Sequence, residues 1–182
     1  MKSFKQFLIE TPWVNSDELD IPPTEKRKFL RKETMGENDT IISKTPSGHT
    51  ITKKSINYYD PMEGHDQYEY SAYGPDGKKD LSLKVHQKGN KAYVIDLSSN
   101  EGNTMKSHEF YHHLIAHHGI HLHSDYEQSS GGMKTWKKLH QMPGIHVQSY
   151  NGSTEKYSEL KPSFQRKYDM DSSTRLAAKK KT

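Results

Sequence analysis

The chain of 182 residues carries 27 Lys and Arg against 23 Asp and Glu, a formal net charge of +4, and only 30% of its residues are hydrophobic. That length suits one domain with terminal extensions rather than two domains, and the apolar residues are concentrated between residues 66 and 150. Cysteine is absent, which excludes disulfides and thiolate metal sites. With no long apolar run at the N-terminus or elsewhere, the expectation is a soluble protein with no membrane partner, made in a reducing cytoplasm.

Residues 1–10, "MKSFKQFLIE", place Phe4, Phe7 and Leu8 at helical spacing, and Pro12, Pro22 and Pro23 then mark a linker. The stretch from Thr24 to Thr34 predicts a charged helix, with Thr24 as its N-cap and Gly36 as its stop. Lys26, Arg27, Lys28, Arg31 and Lys32 there, and Lys179, Lys180 and Lys181 at the other end, can bind DNA by counterion release or simply remain a solvated helix face and tail.

From Asp39 the period changes to two. "TIISK" and "HTITKKSI" flank "TPSG", which suits a hairpin loop, and "YEYSAY" leads through "GPDGKK" into "LSLKVHQ". Leu81, Leu83 and Val85 alternate there with Ser82, Lys84 and His86. "KAYVIDLSS" is almost continuously apolar and predicts a central strand covered on both faces. Met105, Phe110, Tyr111, Leu114 and Ile115 then form one stripe of a helix ending near His118 with Gly119 as its cap. The strand "GIHLHSD", a helix "GGMKTWKKLHQ" capped by Ser129 or Ser130 and carrying Met133, Trp136, Lys137 and Leu139 on one side, and the strand "IHVQSY" complete the pattern. The reading is an α/β (α+β) fold: an antiparallel meander of four or five strands, then helix, strand, helix, strand. The chain divides into residues 1–38 (N-terminal helix, linker and charged helix), a domain over 39–151, and a polar, basic extension over 152–182.

His108, Glu109 and His112 spell His-Glu-x-x-His, and His118 stands where one class of zinc protease places its third ligand. On a helix the first two histidines share a face, so they could hold zinc while Glu109 activates its bound water. The glycine that turns the chain toward the third ligand is, however, replaced by Ile115, a β-branched residue that resists positive φ. His113, His117, His121 and His123 crowd the same stretch, so i,i+4 histidine pairs arise readily. Surface histidines, adventitious metal affinity and a pH sensor are the competing readings.

The order of elements resembles the GNAT superfamily of N-acetyltransferases. The likeness is strengthened by Ser124, Asp125, Ser129, Gly131, Gly132 and Trp136, a strand-turn-helix arrangement similar to that of phage-encoded GNAT-like domains, and it covers residues 40 to 151. The resemblance implies an acyl-coenzyme A cosubstrate, acetyl-CoA or another acyl-CoA, whose pyrophosphate rests on backbone amides of a turn like Arg-x-x-Gly-x-Gly or Ala. The matching stretch has one glycine and no arginine, so the cradle is degenerate; its residues would be Leu97, Ser98, Gly102, Asn103, Thr104, Met105 and Lys106. The resemblance further implies a carboxylate as general base, Asp96 or Glu101, and a tyrosine as general acid, Tyr126. Otherwise Asp96 is a strand-end acceptor, Tyr126 a loop anchor and Trp136 a core residue.

The first ten residues resemble the capsid-targeting peptides of large tailed phages, with Leu8, Ile9 and Glu10 matching the site at which a prohead protease cuts. This implies a partner in the phage head or scaffold, and a protein made in the host cytoplasm and carried in the virion interior. The alternative is a short amphipathic helix docked on the domain. Beside the acyltransferase reading therefore stand a noncatalytic, virion-packaged or host-interacting protein and, third, the zinc hydrolase.

Overall fold

The computed structural model describes residues 34–57, 62–100, 102–125, 129–160 and 174–181. All fall in one compact unit, Lys32–Thr182. The N-terminal and charged helices and the Leu8, Ile9, Glu10 cleavage pattern lie outside the described residues, as do Glu101 and Tyr126.

The described residues form a mixed α/β structure, dominated by one nine-stranded sheet with two helices. Its elements are β1 (Thr40–Lys44), β2 (Thr50–Ser55), β3 (Asp66–Tyr73), β4 (Lys79–Lys88), β5 (Lys91–Ser99), α1 (Ser107–His118), β6 (His121–His123), α2 (Ser130–His140), β7 (Ile145–Asn151), β8 (Lys156–Ser158) and β9 (Thr174–Lys180). The spatial order is β1-β2-β3-β4-β5-β6-β9-β7-β8. Only the β5–β6 pairing is parallel. Parallel neighbours need a crossover, and α1 supplies it.

Local sequence signals act where they were read. Gly48 sits at φ +85° in the β1–β2 turn, closed by Gly48 N donating to Thr45 O at 3.0 Å. Gly119 takes φ +66° and ends α1. The Ser129 hydroxyl accepts from Gly132 N at 3.0 Å and starts α2.

Strand alternation sorts the sheet into two faces. On one, Ile51, Ala72 and Leu81 lie in register, as do Tyr70, Leu83 and Leu97, and farther across Ala92, Leu122, Ala178 and Val147. Phe110, Leu114 and Ile115 from α1 and Trp136 and Leu139 from α2 pack against this face, all essentially inaccessible to water. Tyr111 and Trp136 meet with ring centroids 5.8 Å apart where the two helices touch. The opposite face is polar: the row Lys54, Glu69, Lys84, Asp96 alternates in charge across four strands, beside the hydroxyl row Thr52, Ser71, Ser82, Ser98.

Two sequence expectations require correction. Residues 152–182 are not simply an extension, because β8 and β9 arise there and β9 is inserted between β6 and β7, contributing Leu176 and Ala178 to the core. Their apolar run is short and lies among lysines, which is why composition hid it. Nor is β5 covered on both faces: only Ala92 of its residues is fully buried, and Ser98 and Ser99 are exposed.

Candidate functional site

The incompletely covered strand is the most informative feature of the sheet. β5 pairs with β6 only through Lys91–His121, Ala92–Leu122 and Tyr93–His123. Beyond that point Ser124 commits to β9 instead: its N–H donates to Leu176 O at 2.7 Å and its hydroxyl accepts from Leu176 N at 2.9 Å. From Val94 to Ser99, β5 therefore has β4 as its one strand neighbour among the described residues. A bulge at Ile95 falls at the same place, since Lys84 pairs with Asp96 while Val85 pairs with Val94. A bulge increases local twist, and here it lies just beyond Tyr93–His123, the last pair that β5 makes with β6.

Asp96 is half-buried on the polar face. Burial raises its carboxyl above the ordinary range, and the Lys84 ammonium opposite it offsets only part of that effect. Across the same row Glu69 is fully engaged. Its Oε1 accepts from Ser82 at 2.7 Å and from Lys79 at 3.0 Å, and its Oε2 meets Lys54 at 3.0 Å. Burial pushes the Glu69 carboxyl up, but the Ser82, Lys54 and Lys79 donors overcome this and bring it down to about 2. Of the two carboxylates, Asp96 is the one suited to taking a proton. Tyr111, buried beneath α1, is held high by desolvation and by the Asp96 charge, which makes it the described tyrosine coupled to this carboxylate.

The turn between β5 and α1 is tied down from β4. Asn100 donates to Asp80 O at 2.9 Å through its N–H and to Lys79 O through its side-chain amide, and Gly102 turns the chain at φ +76°. Asp80 Oδ2 then accepts from Thr104 N at 2.9 Å, Thr104 Oγ1 at 2.8 Å and Met105 N at 3.1 Å, with His49 Nε2 at 3.2 Å. Burial raises the Asp80 carboxyl, yet the Thr104, Met105 and His49 donors outweigh it and hold the group below its usual value. Asn103 N donates to Asn100 O at 3.2 Å, and Met105 is a core residue with 5% exposure. The amides of Asn103, Thr104 and Met105, which the resemblance assigns to a phosphate, are therefore already bonded within the protein. Sequence inspection missed Asp80 and His49, because neither stands in a motif and only the β1–β2 hairpin brings His49 over β4.

At the start of α1, Lys106 N donates to Glu109 Oε2 at 2.8 Å. Lysine has no acceptor to return, so this is half of a capping box. His108 is held below its ordinary value first by burial and then by the Lys138 charge from α2, so cations from both helices flank this helix N-terminus.

The His-Glu-x-x-His residues are arranged differently from a zinc site. Glu109 serves the helix cap, and His118 turns to Ser43 on β1, its Nε2 lying 2.9 Å from Ser43 Oγ. His113 Nε2 reaches the same oxygen at 2.8 Å, and the His113 and His117 rings lie 4.5 Å apart. Among the described residues no group of three or more His, Asp or Glu is spaced to hold a metal ion. No described helix is long and apolar enough to cross a membrane. No protein-family model, curated protein or solved structure matches the chain.

Proposed function

We propose that residues 39–151, together with β8 and β9, form a GNAT-like domain that binds an acyl-coenzyme A, acetyl-CoA or a longer acyl-CoA, and passes its acyl group to an amine. The observation that carries this reading is that the β5–β6 pairing stops at Tyr93–His123, so that among the described residues the edge of β5 from Val94 to Ser99 that faces away from β4 has no strand partner. An extended amide-containing chain can pair along such an edge as a strand does. The helix N-terminus of α1 lies at the end of the turn that follows β5, with Lys106 and Lys138 acting on His108 there, which suits a pyrophosphate. The bound thioester supplies the activated carbonyl. Asp96, raised by burial, takes the proton that the acceptor amine loses as its nitrogen bonds to that carbon, and the carbon–sulfur bond breaks to release the coenzyme A thiolate, which is protonated from solvent. Isothermal titration with acetyl-CoA tests the reading: saturable heat at micromolar to millimolar ligand is expected, and none at all rejects it.

A noncatalytic role is the second reading, favoured by Asp80. A carboxylate that already occupies the Thr104 and Met105 amides takes the place of a cradle phosphate. In this form the domain is a packaged or host-interacting scaffold, delivered through a phage head by residues 1–10 and active through its surfaces. Titration also separates the two, because the scaffold binds no acetyl-CoA.

A further inference from the structure

The polar face carries a second assembly, at the end of β5 that pairs with β6. His123 on β6 is 0% exposed and its Nδ1 has no hydrogen-bond partner. Rings pack round it from four strands: Tyr93 of β5, His121 of β6 and Tyr150 of β7 each have centroids 4.6 Å away, and Tyr157 of β8 lies at 5.9 Å. His121 and Tyr157 stack at 5.1 Å with their planes within 23°, and His65 meets the edge of Tyr93 at 5.6 Å. The Arg175 guanidinium stands 5.2 Å over the Tyr93 ring. Burial, then the charges of Lys91 and Arg175 with that of His121, hold His123 down to about 3, and burial with Lys179 and Lys91 holds His121 down to about 4. Both rings are thus neutral at pH 7, while the charges next to them are cationic. Glu155, in the β7–β8 turn, is the carboxylate that acts on Tyr150 and Tyr157.

From this juxtaposition we infer that the β5-β6-β9-β7-β8 half of the polar face binds single-stranded nucleic acid, with bases stacked on the half-buried Tyr93, His121 and Tyr157 rings and phosphates held by Lys91 and Lys179. Neutral aromatic rings interleaved with cations are what an unpaired strand requires, because every base offers a flat face and every linkage a negative charge. A duplex hides its bases and would gain only the charge contacts. The inference does not rest on acyl-coenzyme A binding, and of the basic chain ends it uses Lys179 alone, which stands in β9.

Fluorescence anisotropy of the full chain with labelled oligothymidylate and oligouridylate about 12 nucleotides long, and with a duplex of equal length, tests it. Single strands should bind at least tenfold more tightly than the duplex. Tyr157→Ala should weaken single-strand binding about tenfold while Tyr157→Phe stays within about twofold, and Lys91→Glu should lower the slope of log affinity against log salt by about one. His121→Ala, which removes the ring stacked on Tyr157, provides the same readout should Tyr157→Ala not fold by circular dichroism. Equal affinity for duplex and single strand, or affinity unmoved by loss of either ring, would overturn the inference in favour of nonspecific charge on the ends. So would the absence of binding at low salt.

Discussion

Asp80 Oδ2 accepts from the backbone amides of both Thr104 and Met105, at 2.9 Å and 3.1 Å, so a carboxylate from β4 fixes the turn that launches α1. Replacing it with asparagine leaves a neutral acceptor in place of the charge. Asp80→Asn is expected to lose about 1–3 kcal/mol of stability in urea denaturation. Because the folded carboxyl lies below its unfolded value, its contribution is present above the unfolded pKa and is lost as pH falls through the lower, folded value. The difference between wild type and Asp80→Asn should therefore shrink in acid below about pH 4. If the acyl-coenzyme A reading holds, titration should also show this variant binding acetyl-CoA more tightly, since the amides are less strongly engaged.

The Glu69 network is nearly closed to solvent. Its side chain is 8% exposed and that of Lys79 9%. Breaking a buried pair strands the remaining charge, so Glu69→Gln should cost about 3 kcal/mol in chemical denaturation. The carboxyl lies at about 2 in the fold against an ordinary value of 4.5, so its contribution is complete above the unfolded value and fades between about 4.5 and 2. A Glu69→Gln stability profile that falls as steeply with acid as the wild type's over that window would contradict the assignment.

Ser43 Oγ is shared by His113 and His118, at 2.8 Å and 2.9 Å. One hydroxyl has one proton to give, so when it donates to one ring and accepts from the other, the ring that takes its proton must be neutral. Burial, then the charges of His117, His118 and His112, pull His113 down to about 4. For a group depressed in the fold that is charged when protonated, the unfolded chain takes up its proton first. Stability should accordingly decline from about pH 6.5 to about 4 and then level. His121 and His123 add to the same decline, so the readout is the difference between wild type and His113→Gln, measured by thermal melting at each pH. The variant should lose less stability across that window.

Trp136 seals the contact between the helices and the sheet, with 1% exposure and the Tyr111 ring 5.8 Å away. Trp136→Ala should cost about 3–5 kcal/mol in urea denaturation, and Trp136→Phe clearly less, because the cavity left is smaller. Equal costs would mean that the indole is not packed as described.

For the N-terminus, cleavage after the Leu8, Ile9, Glu10 pattern would leave Thr11 as the first residue. Mass spectrometry of the protein taken from purified virions should find that start, whereas an intact Met1 there rejects processing.

Much of the fold was legible because local chemistry produces it. Alternation at Leu81, Leu83 and Val85, the stripe of Phe110, Leu114 and Ile115, and the caps at Gly119 and Ser129 each concern residues within a few positions of one another, and each holds in the structure. Asp96, which the resemblance offers beside Glu101 as a general base, stands one residue past the bulge in β5.

The chain sequence by itself determined the meander, the two helices and the apolar face they cover, since period and capping are properties of neighbouring residues. Only the tertiary structure decided that β9 enters the sheet between β6 and β7, that Asp80 bonds the Thr104 and Met105 amides, and that His113 and His118 share Ser43. Each of these joins residues distant in the chain. Many short polar and weakly apolar segments could compete for such partnerships, and register across the whole sheet chooses among them.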